Sequence, residues 1–363
     1  MVTLKRPTCE GQPKAIIARG RIDAPCDHGT VVRLLGRLAV AGAVLAWPAS
    51  ALADGPVPAE PPSLRTLVLG WSLEPSVAIP LVLAAIGWLA IVRRVARLHP
   101  DRPVPAARTA AFLGGLAAIA VALMSGIERY DTTLFSVHMV QHLLLMLVAA
   151  PLIALAAPIT QLLRAASPEV RSRWLLPVLQ SAPAAALGHP LVAWLTFTLV
   201  LWISHFSPLF DLALESPGIH ELEHAGFLIA ALLFWWPVIG LDPARHRLGY
   251  PARALYLLAQ MPFNSFLGMA ILFAAAPLYP HYATLGTPYG ISPLADQELA
   301  GGIMWLAGDV VFIVGILVVV AAWMRHEERD APAAERRTAA RRALINERAD
   351  QLARAKREGL GPN

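Results

Sequence analysis

Through most of this chain the apolar residues run in blocks of about twenty, separated by short polar stretches. A helix rises about 1.5 Å per residue, so about twenty residues cross roughly 30 Å of hydrocarbon. Seven such blocks follow one another, at about 74–95, 106–127, 134–156, 186–206, 219–240, 252–276 and 300–323. Each predicts a transmembrane helix. A shorter apolar stretch comes earlier: RLLGRLAVAGAVLAWPASALA, at 33–53, has arginines near its start and small residues at Ala51 and Ala53. That pattern describes a secretory signal cleaved before Asp54. The polar segment before it is long for a signal, which places the expected translation start near Val31 or Val32.

Composition agrees with a membrane protein, since 56% of the 363 residues are hydrophobic and 15% charged, too few to cover a soluble globule of this size. Charge then orients the chain. Residues 1–53 hold seven of the 30 Lys+Arg and three of the 25 Asp+Glu, so the remainder carries 23 against 22, a net +1. The high pI is therefore no argument for nucleic acid. Short loops rich in arginine stay cytoplasmic. Arg93, Arg94, Arg97, Arg102 and Arg108 follow the first block, Arg164, Arg171 and Arg173 the third, Arg245, Arg247 and Arg253 the fifth, and Arg325 the last. The loops around 128–131, 207–223 and 279–298 hold only Arg129. Every loop is satisfied by one arrangement: an all-α membrane protein, a bundle of seven transmembrane helices, N-out/C-in, after a cleaved signal segment. The expected divisions are a leader at 1–53, a seven-helix domain at 54–325 and a charged cytoplasmic tail at 326–363, which reads as a solvated helix near anionic headgroups.

Histidines carry the candidate chemistry. His99, His189, His246 and His326 fall at the cytoplasmic side, where an interfacial or loop role is the simpler reading. Six others fall near the outer face: His138 and His142 in HMVQH, His205, His220 and His224 in HELEH, and His281. Residues i and i+4 share one helix face, so each pair is a two-imidazole clip. Two clips at one depth point to a metal or cofactor. Both cysteines, Cys9 and Cys26, precede the expected cleavage site, which excludes thiolate ligation in the mature chain. Imidazoles suit copper, zinc, iron and nickel, and thioethers select Cu(I). Met124, Met139, Met269 and Met304 lie at a similar depth and tilt the reading to copper, with Glu128, Asp131, Glu221, Glu223 and Asp296 available to orient imidazoles or attract the cation.

HELEH also satisfies the H-E-x-x-H pattern of zinc hydrolases. A third ligand is then needed. Asp242 lies 18 residues beyond His224, about 27 Å along a helix, and cannot share the ion, whereas Asp296 remains available.

The stretches YDTTLFSVHMVQHLLLMLVAAPLIALAAPIT, SPLFDLALESPGIHELEHAGFLIAALLFWWPVIGLDP, PLYPHYA and LADQELAGGIMW resemble the polytopic, seven-helix CtaG family of cytochrome c oxidase assembly factors, over roughly residues 70–325. The resemblance implies a factor that supplies copper to a haem-copper oxidase from the outer side of a bacterial-type inner membrane. It places the family's histidines on His138, His142, His220 and His224, with His205 beside them, and the DQ and GG-x-MW elements on Asp296, Gln297, Gly301, Gly302, Met304 and Trp305. The expected partners are oxidase subunits, the bilayer and a copper donor outside the membrane.

The combined expectation is a non-enzymatic copper-binding assembly factor whose metal ligands come from His138, His142, His220, His224, His205 and Met304. Three other classes stay open: a b-type haem protein, a zinc-dependent membrane protease acting through HELEH, and a copper transporter. The apolar inner halves of the third and fifth blocks argue against a transport path there.

Overall fold

The computed structural model describes residues 57–357, which places the expected leader at 1–53 outside the described residues. Within them the secondary structure is helical throughout. Six helices are long and apolar enough to cross a membrane: Pro75–Leu98, Ala106–Tyr130, Phe135–Ala165, Pro217–Ile239, Tyr250–Leu272 and Pro293–Pro332. Pro190–His205 with Leu209–Glu215, bent by 68°, makes a seventh where the bent pair is taken as one span. They are numbered here as spans 1 to 7 in chain order. Each expected block corresponds to one of them.

Span 4 is where the pattern and the structure differ. The apolar block predicts a straight helix over 186–206, but the helix starts at Pro190, with His189 Nδ1 accepting from Leu191 N at 3.2 Å. Sixteen residues reach only about 24 Å. The chain then turns through Phe206–Pro208 into the short helix Leu209–Glu215, which drives Phe210, wholly buried, against the rings of His138, His142 and His205.

Span 3 is broken too, and for a visible reason. Pro151 has no N–H to give to the ladder, and the turn before it, Leu144–Ala149, opens into a π-helix. Ala157 adopts φ 54°, and Pro158 begins a short helix to Ala165. Asp242 caps that helix by accepting from Thr160 N at 2.6 Å and Ile159 N at 3.3 Å. A second carboxylate does the same at the opposite end of the span. Asp296, in the first turn of span 7, accepts from Phe135 N at 2.5 Å and from Ser136 Oγ at 2.5 Å. Both aspartates fix where span 3 begins and breaks, satisfying amides that a helix start leaves without partners.

Spans 6 and 7 approach each other backbone to backbone. A Cβ at Gly301 would meet Leu272 N at 2.6 Å and Gly268 O at 2.8 Å, so this crossing tolerates no side chain at that position. The main core lies among spans 3 to 7 and is built from Phe135, Met139, Phe197, Phe227, Phe234 and Phe312 with their neighbours. Large apolar side chains such as Ile86, Leu199, Ile203, Phe266, Leu306 and Leu317 face outward, as a lipid environment requires. Span 7 continues without a break to Arg357 as one helix of 65 residues, so the charged tail is a helical extension of the last span.

Candidate metal centre

The two histidine clips meet. Span 3 presents His138 and His142 and span 5 presents His220 and His224, and all four are buried. His138 Nε2 and His142 Nε2 are 2.8 Å apart. Ring centroids are separated by 5.2 Å for His138 and His220, 5.6 Å for His142 and His224, and 4.2 Å for His220 and His224. The i,i+4 spacing on each helix sets this geometry, because it stacks each pair on the one face that points into the bundle.

The four do not form a single four-donor cage. Three overlapping triads have ligand atoms within 4.8 Å of one another: His138, His142 and His224; Asp131, His220 and His224; and His138, His220 and Glu223. Glu223 Oε2 lies 3.9 Å from the Nε2 atoms of both His138 and His142, and neither of its oxygens finds a hydrogen-bond partner among the described residues. His142 Nδ1 and His220 Nε2 are also buried without one. Burying an ionised carboxylate without a partner costs several kcal/mol. A cation between these groups would offset that cost.

Neighbouring groups select which ring nitrogens face the cluster. Gln141 gives its amide hydrogens to Ala122 O at 3.1 Å and to Glu128, so its Oε1 accepts from His224 Nε2 at 3.1 Å. The network thereby leaves the lone pair of His224 on Nδ1. On His138, the Tyr282 hydroxyl donates to Asp131 O at 2.7 Å and lies 3.3 Å from Nδ1, which leaves Nε2 to face the cluster. Burial, reinforced by the Asp131 carboxylate, pushes the Tyr282 phenol well above its usual range and keeps it a neutral donor. Orienting partners of this kind are a regular feature of metal-ligating histidines.

Of the remaining expected site residues, His205 comes next to the cluster but not into a triad. Its ring is 6.2 Å from His142, and its Nδ1 is held at 2.7 Å from Leu201 O. Met304 is buried and shares a small cavity of about 10 Å³ with His142, His205, Met139 and Asn264, on the deeper side of the histidines. Asp296 is occupied by the cap of span 3, so the third carboxylate beside HELEH is Asp131 rather than Asp296. His281 bonds to Thr132 O at 2.8 Å as part of the loop framework. The four histidines of the opposite end have local surroundings: His99 beside Arg164 O, His189 at the start of span 4 and in ring contact with His246, and His326 near Asp330.

A larger cavity of about 600 Å³ reaches the centre from one side. Glu74, Glu128, Arg129 and Glu221 lie on its wall, together with His220 and His224. Glu221 and Arg129 are solvent-exposed.

Known proteins related to this chain include uncharacterized ones of three mycobacteria. Uncharacterized proteins of Mycobacterium bovis and Mycobacterium tuberculosis are each 32% identical over 284 residues, covering 76% of this chain and 43% of theirs. One of Mycobacterium leprae is 32% identical over 278 residues, 74% of this chain and 42% of its own. The chain thus spans less than half the length of these relatives. No solved structure matches it. The model of one family, described as cytochrome c oxidase caa3 assembly factor (Caa3_CtaG), matches residues 86–326, from within span 1 to within span 7 and across every residue of the histidine centre. The chain belongs to the Caa3_CtaG family of cytochrome c oxidase caa3 assembly factors.

Proposed function

We propose that this protein serves cytochrome c oxidase assembly by holding copper at the histidine centre and passing it to an oxidase subunit, on the outer side of a bacterial plasma membrane. One observation carries the reading: His138, His142, His220 and His224 converge from two spans, with His142 Nδ1, His220 Nε2 and both Glu223 oxygens buried without a hydrogen-bond partner. The donor set is imidazole and carboxylate, and no cysteine occurs in 57–357. Such donors suit copper or zinc, and the oxidase family makes copper the cargo to expect. Ligand exchange moves an ion without making or breaking bonds in a substrate, so no catalytic step is assigned. The arginine distribution supports the outer placement, because the histidine end carries the arginine-poor loops.

A second reading has a specific observation behind it. Asp131 completes, with His220 and His224, the three-ligand set of an H-E-x-x-H zinc hydrolase, and Glu221 lies on the wall of the same cavity. Such an enzyme needs Glu221 as its general base. A metal carrier does not.

Complementation of a bacterial host lacking its own copy separates the two. His138→Ala combined with His224→Ala removes a donor from every triad, and oxidase activity is expected to fall more than about tenfold. Glu221→Gln is expected to support full maturation. Loss of maturation in E221Q with metal still bound would make the hydrolase the better account.

A further inference from the structure

The triads differ in access. His220 and His224 stand on the wall of the 600 Å³ cavity, whereas His138 and His142 are 0% and 1% exposed and do not line it. The triads also form a chain. The Asp131–His220–His224 set shares His224 with the His138–His142–His224 set, and the set of His138, His220 and Glu223 spans the two. An ion arriving through the cavity therefore meets His220 and His224 first, with Asp131, itself 1% exposed, beside His220 at 3.6 Å.

We propose that the centre is two successive metal positions rather than one: an entry position of Asp131, His220 and His224 at the foot of the cavity, and a holding position of His138, His142 and His224 behind it. The inference rests on the copper reading above and deepens it. Moving inward, the ion exchanges the Asp131 oxygen and the His220 nitrogen for the ring nitrogens of His138 and His142 and keeps His224 throughout. Glu223, 3.9 Å from both inner nitrogens, offers a carboxylate beside the crossing. No electron is transferred and no covalent bond is formed. Because His224 belongs to both positions, one ion is held at a time. Glu74 and Glu221 on the cavity wall outnumber Arg129 and favour a cation there.

The arrangement separates rate from affinity. A residue used only in transit changes uptake and release by the same factor and leaves the equilibrium alone, whereas a residue of the holding position changes the equilibrium. The full-length protein in lipid nanodiscs is loaded from a coloured Cu(I)–chelator complex, and stopped-flow absorbance follows transfer in both directions. Asp131→Asn is expected to slow uptake and release by at least about tenfold each, with Kd unchanged. His142→Ala is expected to weaken Kd at least about tenfold at an unchanged initial uptake rate. Asp131→Asn keeps the Oδ1 that accepts from Thr132 N, and His220→Gln, expected to show the same rate effect, provides a second variant on the other spans' side of the position. Wild-type rates in both D131N and H220Q would overturn the inference, as would an equal loss of Kd in D131N, H220Q and H142A, which is the signature of a single site. A wild type that takes up no copper contradicts the copper reading itself, and is told apart by the absence of any transfer to compare.

Discussion

Gln141 shows how one side chain decides what its neighbours can do. It is wholly buried, its amide group is spent on Ala122 O and Glu128, and its remaining oxygen fixes the ring of His224. Replacing it by leucine keeps the volume and removes the orienting acceptor. Gln141→Leu is expected to lower metal affinity by about 10–100-fold while leaving the folded bundle intact, measured by competition with a chelator and by thermal unfolding. Equal affinity in the variant would show that His224 is positioned by packing alone. The histidine clips were legible in the sequence because i,i+4 spacing inside an apolar span has few other readings. Gln141 was legible in principle, as a polar side chain within HMVQH at membrane depth, where an unpaired amide is costly. Asp131 was one of five carboxylates the sequence offered, and only the fold singles it out, 3.6 Å from His220; Tyr282 was not legible, since only the folding of the loops brings it within 4 Å of Asp131 and His138, 151 and 144 positions away in sequence.

At the level of elements, breaks place the centre as much as helices do. The hydrophobic pattern located each span, because burial in lipid demands a full apolar length, but it set the end of span 3 nine residues short of Ala165 and the start of span 7 seven residues after Pro293. It did not show that span 4 bends at Phe206–Pro208, or that span 3 opens into a π turn before Pro151, because both depend on how prolines and neighbouring carbonyls are satisfied in three dimensions. The bend brings Phe210 over the histidines, and the Asp296 cap sets the start of span 3, hence the height of His138. The GG-x-MW element acquires a physical reason for its first glycine. Gly301 sits where a side chain would overlap the backbone of span 6, while Gly302 has open space around it. Gly301→Leu is expected to separate spans 6 and 7 and to lower the unfolding temperature by several degrees or abolish expression, whereas Gly302→Ala is expected to be tolerated. Thermal unfolding of the two variants in detergent checks the contrast.

Taken whole, the molecule is a membrane bundle with its chemistry gathered at one end. The histidine end carries the cavity, the triads and the arginine-poor loops, while the opposite end carries the arginines and a helix that runs on to Arg357. Several polar groups deeper in the bundle bond within it: Thr198 to Gln260 at 2.9 Å, Asn264 to Met304 O at 3.3 Å, and Ser265 to Asp309 at 2.7 Å. That arrangement fits a protein that holds an ion near one surface. The most direct test is the metal content of the purified protein after equilibration with Cu(I) and a competing chelator, beside the His138→Ala, His224→Ala double variant. About one copper retained by the wild type and none by the variant is the result this account predicts. Equal copper in both proteins, or a wild type that holds zinc, haem or no metal, would contradict it.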